Sequence, residues 1–196
     1  NVRDSILVVS GSLNREMGGP GIYPRIDRAV IGTGSTNKWP VDVEEGPATW
    51  RRSVYVFQKR SVVLPLLEVF DCPDSTVSSP SRSTSTIAPQ ALALLNNAFV
   101  LQQSQHFARR VLKEAGSVPA DQAHRTFQIA LGRKASEREL SWSLDFLAKQ
   151  ALAYEQNALS QLNGSGIAKS ADEAAVRALA DLCHAMSNLN EFLYLE

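Results

Sequence analysis

Apolar residues at helical spacing open the chain: Val2, Ile6, Val9 and Leu13 predict an amphipathic helix over residues 2–14. The run Met17-Gly-Gly-Pro-Gly21 stops it, and residues 15–50, rich in Gly and Pro, show no clear period and predict a long ordered loop region. Ser53-Val-Tyr-Val-Phe-Gln58 combines β-branched and aromatic residues, which predicts a strand buried on both sides. Pro65 suits a first helical position and opens a short helix through Phe70, ended by Asp71-Cys-Pro-Asp74.

Residues 75–86 hold nine Ser or Thr in twelve. Such a run is either a linker between two subdomains or an extended ordered loop, because hydroxyls bond nearby backbone groups. Order there would bring Arg82 against the strand. From Gln90 onward the pattern is almost wholly helical. Leu92, Leu95, Phe99, Phe107, Val111 and Leu112 form one stripe, ended by Gly116. Asp121 is placed to cap the next helix, with Ala123, Phe127 and Leu131 on its inner face and Gly132 as its stop. Ser136-Glu-Arg-Glu139 and Ser170-Ala-Asp-Glu173 have the spacing of capping boxes. The first leads into Leu140, Leu144, Leu147 and Tyr154; the second, after the turn Asn163-Gly-Ser-Gly166, into Val176, Leu179, Cys183 and Met186. Short connections between helices imply a bundle. The fold expected is mainly α: a bundle of four to five helices, one or two short β-strands and a long ordered loop region. It forms one domain over 1–196, loop-rich with the strand over 1–89 and bundled over 90–196.

Composition narrows the function classes. With 44% hydrophobic and 20% charged residues, the chain has the usage of a globular domain. Lys+Arg and Asp+Glu are both 20, and neither half is basic, so the electrostatic footprint of a nucleic-acid binder is missing. No apolar run reaches the roughly 18 residues of a membrane span. Cys72 and Cys183 are far apart in sequence. They could pair in an exported protein, although Cys183 on the apolar side of its helix reads as a small hydrophobe.

Catalytic signatures are absent. There is no G-x-S-x-G, no phosphate-cradling glycine motif at Gly32-Thr-Gly34, and His106, His124 and His184 stand on three different predicted helices. No catalytic residue, metal site or cofactor is therefore assigned. The one concentration of polar chemistry surrounds the predicted strand: Arg51 and Arg52 before it, Asp71 and Asp74 after it, Arg82 in the Ser/Thr run, and Trp50 alongside. Arginine forks hold carboxylates or backbone carbonyls in pairs. One reading has Arg51 or Arg52 pinning the loop through Asp71 or Asp74. The other makes Arg51, Arg52, Asp71, Asp74, Arg82 and Trp50 an anion or saccharide site. Trp39, Tyr23 and Tyr55 are either stacking partners or core.

A set of motifs in order along the chain carries a resemblance. These are Arg3-Asp-Ser-Ile-Leu-Val-Val-Ser-Gly11, Met17-Gly-Gly-Pro20, Arg51-Arg-Ser-Val-Tyr-Val-Phe57 and Phe70-Asp-Cys-Pro-Asp74. They continue with Ser85-Thr-Ile-Ala-Pro-Gln-Ala-Leu92, Leu94-Leu-Asn-Asn97, Ala130-Leu-Gly-Arg133 and Asn190-Glu-Phe-Leu-Tyr194. Together they resemble the C-terminal domain of unknown function of large planctomycete secreted or surface proteins that carry N-terminal cytochrome c-like modules. The resemblance implies an exported, periplasmic or cell-surface location, a C-terminal place in a larger multidomain protein, and the other domains of that protein as partners. It transfers no catalytic residue. The function expected is a non-catalytic structural or interaction module, with a polysaccharide-binding or polysaccharide-degrading unit as the alternative.

Overall fold

A computed structural model describes residues 2–26, 39–40, 43–59, 62–72, 88–161 and 167–194. The architecture is mainly helical, with eight α-helices among the described residues. The chain divides into two compact units, Asn1–Val8 with Ser12–Asn97, and Val9–Gly11 with Ala98–Glu196.

The first unit begins with α1, Val2–Val9. The helix stops short of the predicted residue 14. Gly11 takes φ +74, and the Ser12 and Leu13 N–H groups both donate to the Leu7 carbonyl at 3.0 Å. That is a left-handed helix stop, which glycine adopts without a Cβ penalty. The strand expected at Ser53–Gln58 is not formed. Ser53–Tyr55 is a single 3-10 turn, followed by one isolated parallel bridge from Val56 to Ile22. Ser53 and Val56 are buried while Val54 and Phe57 are exposed, the three-residue period of a 3-10 turn rather than the alternation of a strand. Among the described residues there are bridges, Asn14 to Arg51 and Lys59 to Val62 being the others, but no strand. Ile22, Ile26, Trp39, Val56, Val62 and Leu64 form the apolar core here. Helix α2, Pro65–Val69, starts on its proline as expected and buries Leu66. Helix α3, Ala88–Asn96, buries Gln90 and Leu94.

The second unit holds α4 (Ala98–Ala115), α5 (Pro119–Leu131), α6 (Glu137–Gln161), α7 (Ile167–Ser187) and the short α8 (Asn190–Leu193). The helix expected from Gln90 to Gly116 is two, broken at Asn97. The Asn96 side-chain amide donates to the Leu92 carbonyl at 3.2 Å, an asparagine bonding locally where the helix ladder would continue. Helix α5 starts on Pro119, not at an Asp121 cap. Asp121 lies in the first turn, where its charge still suits the helix N-terminus. Gly132 closes α5 at φ +71, as its position predicts. The Ser136–Glu139 capping box is formed reciprocally: Ser136 N–H donates to Glu139 Oε2 at 2.8 Å, and Glu139 N–H to Ser136 Oγ at 3.4 Å. Ser170–Glu173 lies inside α7, because the helix begins three residues earlier, through Ala168 and Lys169, both strong helix formers. Helix α7 packs against α4, α5 and α6 around Phe107, Ala108, Val111, Leu147, Leu179 and Cys183. Both cysteines are free. Burial pushes the Cys183 thiol well up, against a hydrogen bond from Thr126, so it is an inert core residue. No helix among the described residues is long and apolar enough to cross a membrane.

Candidate functional site

The polar cluster around residues 49–53 is organised by the first turn of α1. Arg3 lies on the same helix stripe as Ile6 and Leu7 and is 1% exposed. Its guanidinium donates to the Arg51 and Thr49 carbonyls, both at 2.8 Å, and to Ser53 Oγ at 3.4 Å. Its neighbour Asp4 accepts the Ser53 N–H at 2.8 Å and the Ser53 hydroxyl at 2.7 Å through one oxygen, Oδ1. Asp4 lies 3.8 Å from Arg3. Burial pushes the Arg3 guanidinium below its ordinary value, and the charges of Asp4 and Glu45 oppose that shift. Held by Asp4 and Arg3, Ser53 cannot present its N–H to a neighbouring strand, which is why a β-rich sequence turns here instead.

Arg51 repeats the arrangement one layer on. Its fork donates to the carbonyls of Pro20 at 3.0 Å, Glu16 at 3.2 Å, and Gly18. The guanidinium lies 3.9 Å from the Tyr55 ring centroid, and the Tyr55 hydroxyl accepts the Gly18 N–H at 2.9 Å. Gly18 and Gly19 have φ of +80 and +79, so the turn that aims these carbonyls at Arg51 needs glycine. Glu45 forms a third node. Its carboxylate accepts the Trp50 indole N–H at 2.9 Å, the Thr49 hydroxyl at 3.2 Å and the Arg25 N–H at 2.8 Å.

The residues singled out in the sequence are therefore divided. Arg51 is buried and acts as a pin, but on backbone carbonyls; among the described residues no ion pair joins Arg51 or Arg52 to Asp71. Trp50 is 8% exposed with its N–H bonded, so it offers no ring face to a sugar. Arg52 points to solvent. Asp71 ends α2 at φ +55, a conformation Asp tolerates better than most residues. Asp74 and Arg82, with the whole of 75–86, lie outside the described residues. Trp39 and Tyr23 are core, edge to face at 5.2 Å, with the Trp39 N–H on the Pro24 carbonyl. The sequence reading missed Arg3, Asp4 and Glu45. A charged residue on the apolar stripe of α1 is the signal that could have pointed to Arg3.

Chemically, this is a carbonyl-binding scaffold: Arg3 and Arg51 meet five main-chain carbonyls that no regular ladder satisfies. Among the described residues no group of three or more His, Cys, Asp or Glu could hold a metal.

A family model described as Protein of unknown function (DUF1553) matches residues 1–147. The chain belongs to this family. The DUF1553 match takes in the whole Arg3–Arg51 scaffold and the Ser136–Glu139 box, and ends within α6. No curated protein matches the chain, and no solved structure matches it.

Proposed function

We propose that this DUF1553 domain is a non-catalytic structural or interaction module of a larger exported or cell-surface protein, of the planctomycete kind that carries cytochrome c-like modules. The carrying observation is the fate of its reactive-looking side chains. Arg3, Arg51, Trp50 and Glu45 tie backbone to backbone inside the first unit, while Leu92 and Leu95, one turn apart on α3, stand 61% and 51% exposed. Paired exposed leucines on a short helix suit a contact with another folded domain. The motif resemblance supplies the exported setting and the partners, which are other domains of the same polypeptide.

The test is calorimetric titration of the chain with separately purified domains encoded in the same reading frame. Saturable binding is expected. It should be lost in the double variant Leu92→Asp, Leu95→Asp, with an unchanged melting temperature because both side chains already face water. Binding that ignores the double variant, or turnover of a polysaccharide by the chain, would overturn the reading.

A further inference from the structure

Arg133, in the turn between α5 and α6, uses every N–H donor of its guanidinium. Along one edge Nη1 and Nη2 donate to the two oxygens of Glu139 at 2.8 Å, and Nη1 donates also to the Lys134 carbonyl at 3.3 Å. Along the other edge Nε and Nη2 donate to the two oxygens of Glu191, on α8, at 2.7 Å. One cation thus holds two carboxylates, and it does not hold them alike. Glu139 stands in the first turn of α6 and also accepts the Ser136 N–H and hydroxyl, both at 2.8 Å. Its side chain is 29% exposed, that of Glu191 48%. The Arg133 fork holds the Glu191 carboxyl below its ordinary value, and the charge of Glu139 opposes that shift. His184, in the last turn of α7, is not among the charges that act on Glu191. Glu191 is the weaker of the two attachments.

What Glu191 anchors is slight. Helix α8 is one turn with no buried residue, and a single turn is too short to hold itself together. The Phe192, Leu193 and Tyr194 N–H groups donate to the carbonyls of Leu189, Leu189 and Asn190 at 3.0, 3.1 and 2.8 Å. These bonds are local, so they are lost together when the turn opens. Phe192 lies partly buried against the apolar cluster that includes Phe107, Leu182 and Cys183. A segment with few buried side chains and an exposed backbone opens before the unit that carries it.

We propose that α8 is a strap, clipped shut by the Glu191 edge of Arg133, that opens by itself while the other helices of the second unit stay folded. Opening lifts Phe192 off its cluster and bares an apolar face that the closed form covers. The Glu139 edge of Arg133 stays made, because Glu139 belongs to the capping box of α6. The inference stands apart from the α3 reading above, because it uses no residue of the first unit.

Amide hydrogen exchange of the whole chain at neutral pH, read residue by residue by NMR, is the experiment. In the unsubstituted chain the amides of Phe192, Leu193 and Tyr194 should be protected, but less than those of Leu182 and Cys183 on α7. Glu191→Gln should lower the protection factors of the three strap amides about threefold and leave Leu182 and Cys183 unchanged. Salt at about 1 M, which screens charges beyond about 3 Å, should bring the unsubstituted chain toward the variant. Strap amides protected as well as Leu182 and Cys183 would mean that α8 opens only with the whole unit and would overturn the proposal. Strap amides with no protection would overturn it too, since nothing would then be clipped shut. So would a variant in which Leu182 and Cys183 lose protection by the same factor as the strap, or one in which the strap is unmoved.

Discussion

Arg3 and Phe107 are each 1% exposed and each sits at the centre of its own unit, yet they hold their surroundings in opposite ways. Phe107 packs among Val111, Leu147, Leu179 and Cys183, on helices whose backbone groups satisfy one another. Arg3 bonds the carbonyls of residues 49 and 51, which belong to no ladder. The difference follows from how much regular structure each unit has. A helical backbone leaves its side chains free to be apolar. An irregular one, buried, must find side-chain donors for its carbonyls. In the second unit the charged groups move to the surface instead, as in the fork of Arg125 on Glu114 at 2.5 and 2.7 Å.

The sharpest way to break this comparison is Arg3→Met, which keeps the volume and removes the donors. It leaves two carbonyls unsatisfied and Asp4 without its cation. A loss of about 4 kcal/mol is expected. Urea unfolding followed by the emission of Trp39 and Trp50, both buried in that unit, measures it. A loss under about 1 kcal/mol would mean that water replaces the guanidinium and that the first unit is held by its apolar core after all.

A pair of conservative changes sharpens the contrast. Arg51→Lys keeps the charge but cannot reach three carbonyls from one planar fork while stacking on Tyr55. It should cost about 2 kcal/mol. Leu179→Met, beside Phe107 in that core and conservative in the apolar sense, should cost about 1 kcal/mol, because such cores absorb volume-conserving swaps. Parallel thermal melts of the two variants decide the order. Equal losses would show that the carbonyl cage around Arg51 is as forgiving as a hydrophobic core.

These roles were unevenly legible in the sequence. The helices from α4 to α7 follow from apolar spacing and from local stops such as Gly132 and the Ser136–Glu139 box, whose partners lie within a few residues of one another. The segment Ser53–Gln58 was misread because β-branched and aromatic content reports only what a residue packs well against. What bends it is Asp4, forty-nine positions away, and nothing local reveals that. Arg51 was legible only as one of two alternatives, a pin on a carboxylate or a member of a ligand site, because an arginine fork serves both. Its partners were not, since carbonyls carry no residue identity and a carboxylate is the partner a sequence can display.

The smallest effect expected lies on the other side of the comparison, in the surface network of the second unit. Arg133 donates to both oxygens of Glu139 at 2.8 Å and to both oxygens of Glu191 at 2.7 Å. The Arg133 fork, and then the Ser136 N–H, hold the Glu139 carboxyl down at about 2 from an ordinary 4.5. A depressed carboxyl stabilises the fold at pH above its unfolded value, and that contribution is lost as the pH falls through the folded value. The stabilisation from Glu139 should therefore be complete above about pH 5 and diminish progressively toward pH 2. Because the pair is about a third exposed and screened by salt, its worth at neutral pH is about 1 kcal/mol or less. Glu139→Gln should lower the melting temperature at pH 7 by a few degrees, and the gap to the unsubstituted chain should shrink as the pH falls toward 2, where the folded Glu139 carboxyl is about half protonated. Other carboxylates, Glu114 and Glu191 among them, are likewise held below their ordinary value by arginine partners, so the difference between the two chains is the quantity to read. A gap that stays constant from pH 7 to pH 2 would mean that Glu139 acts through its capping geometry and not through its charge.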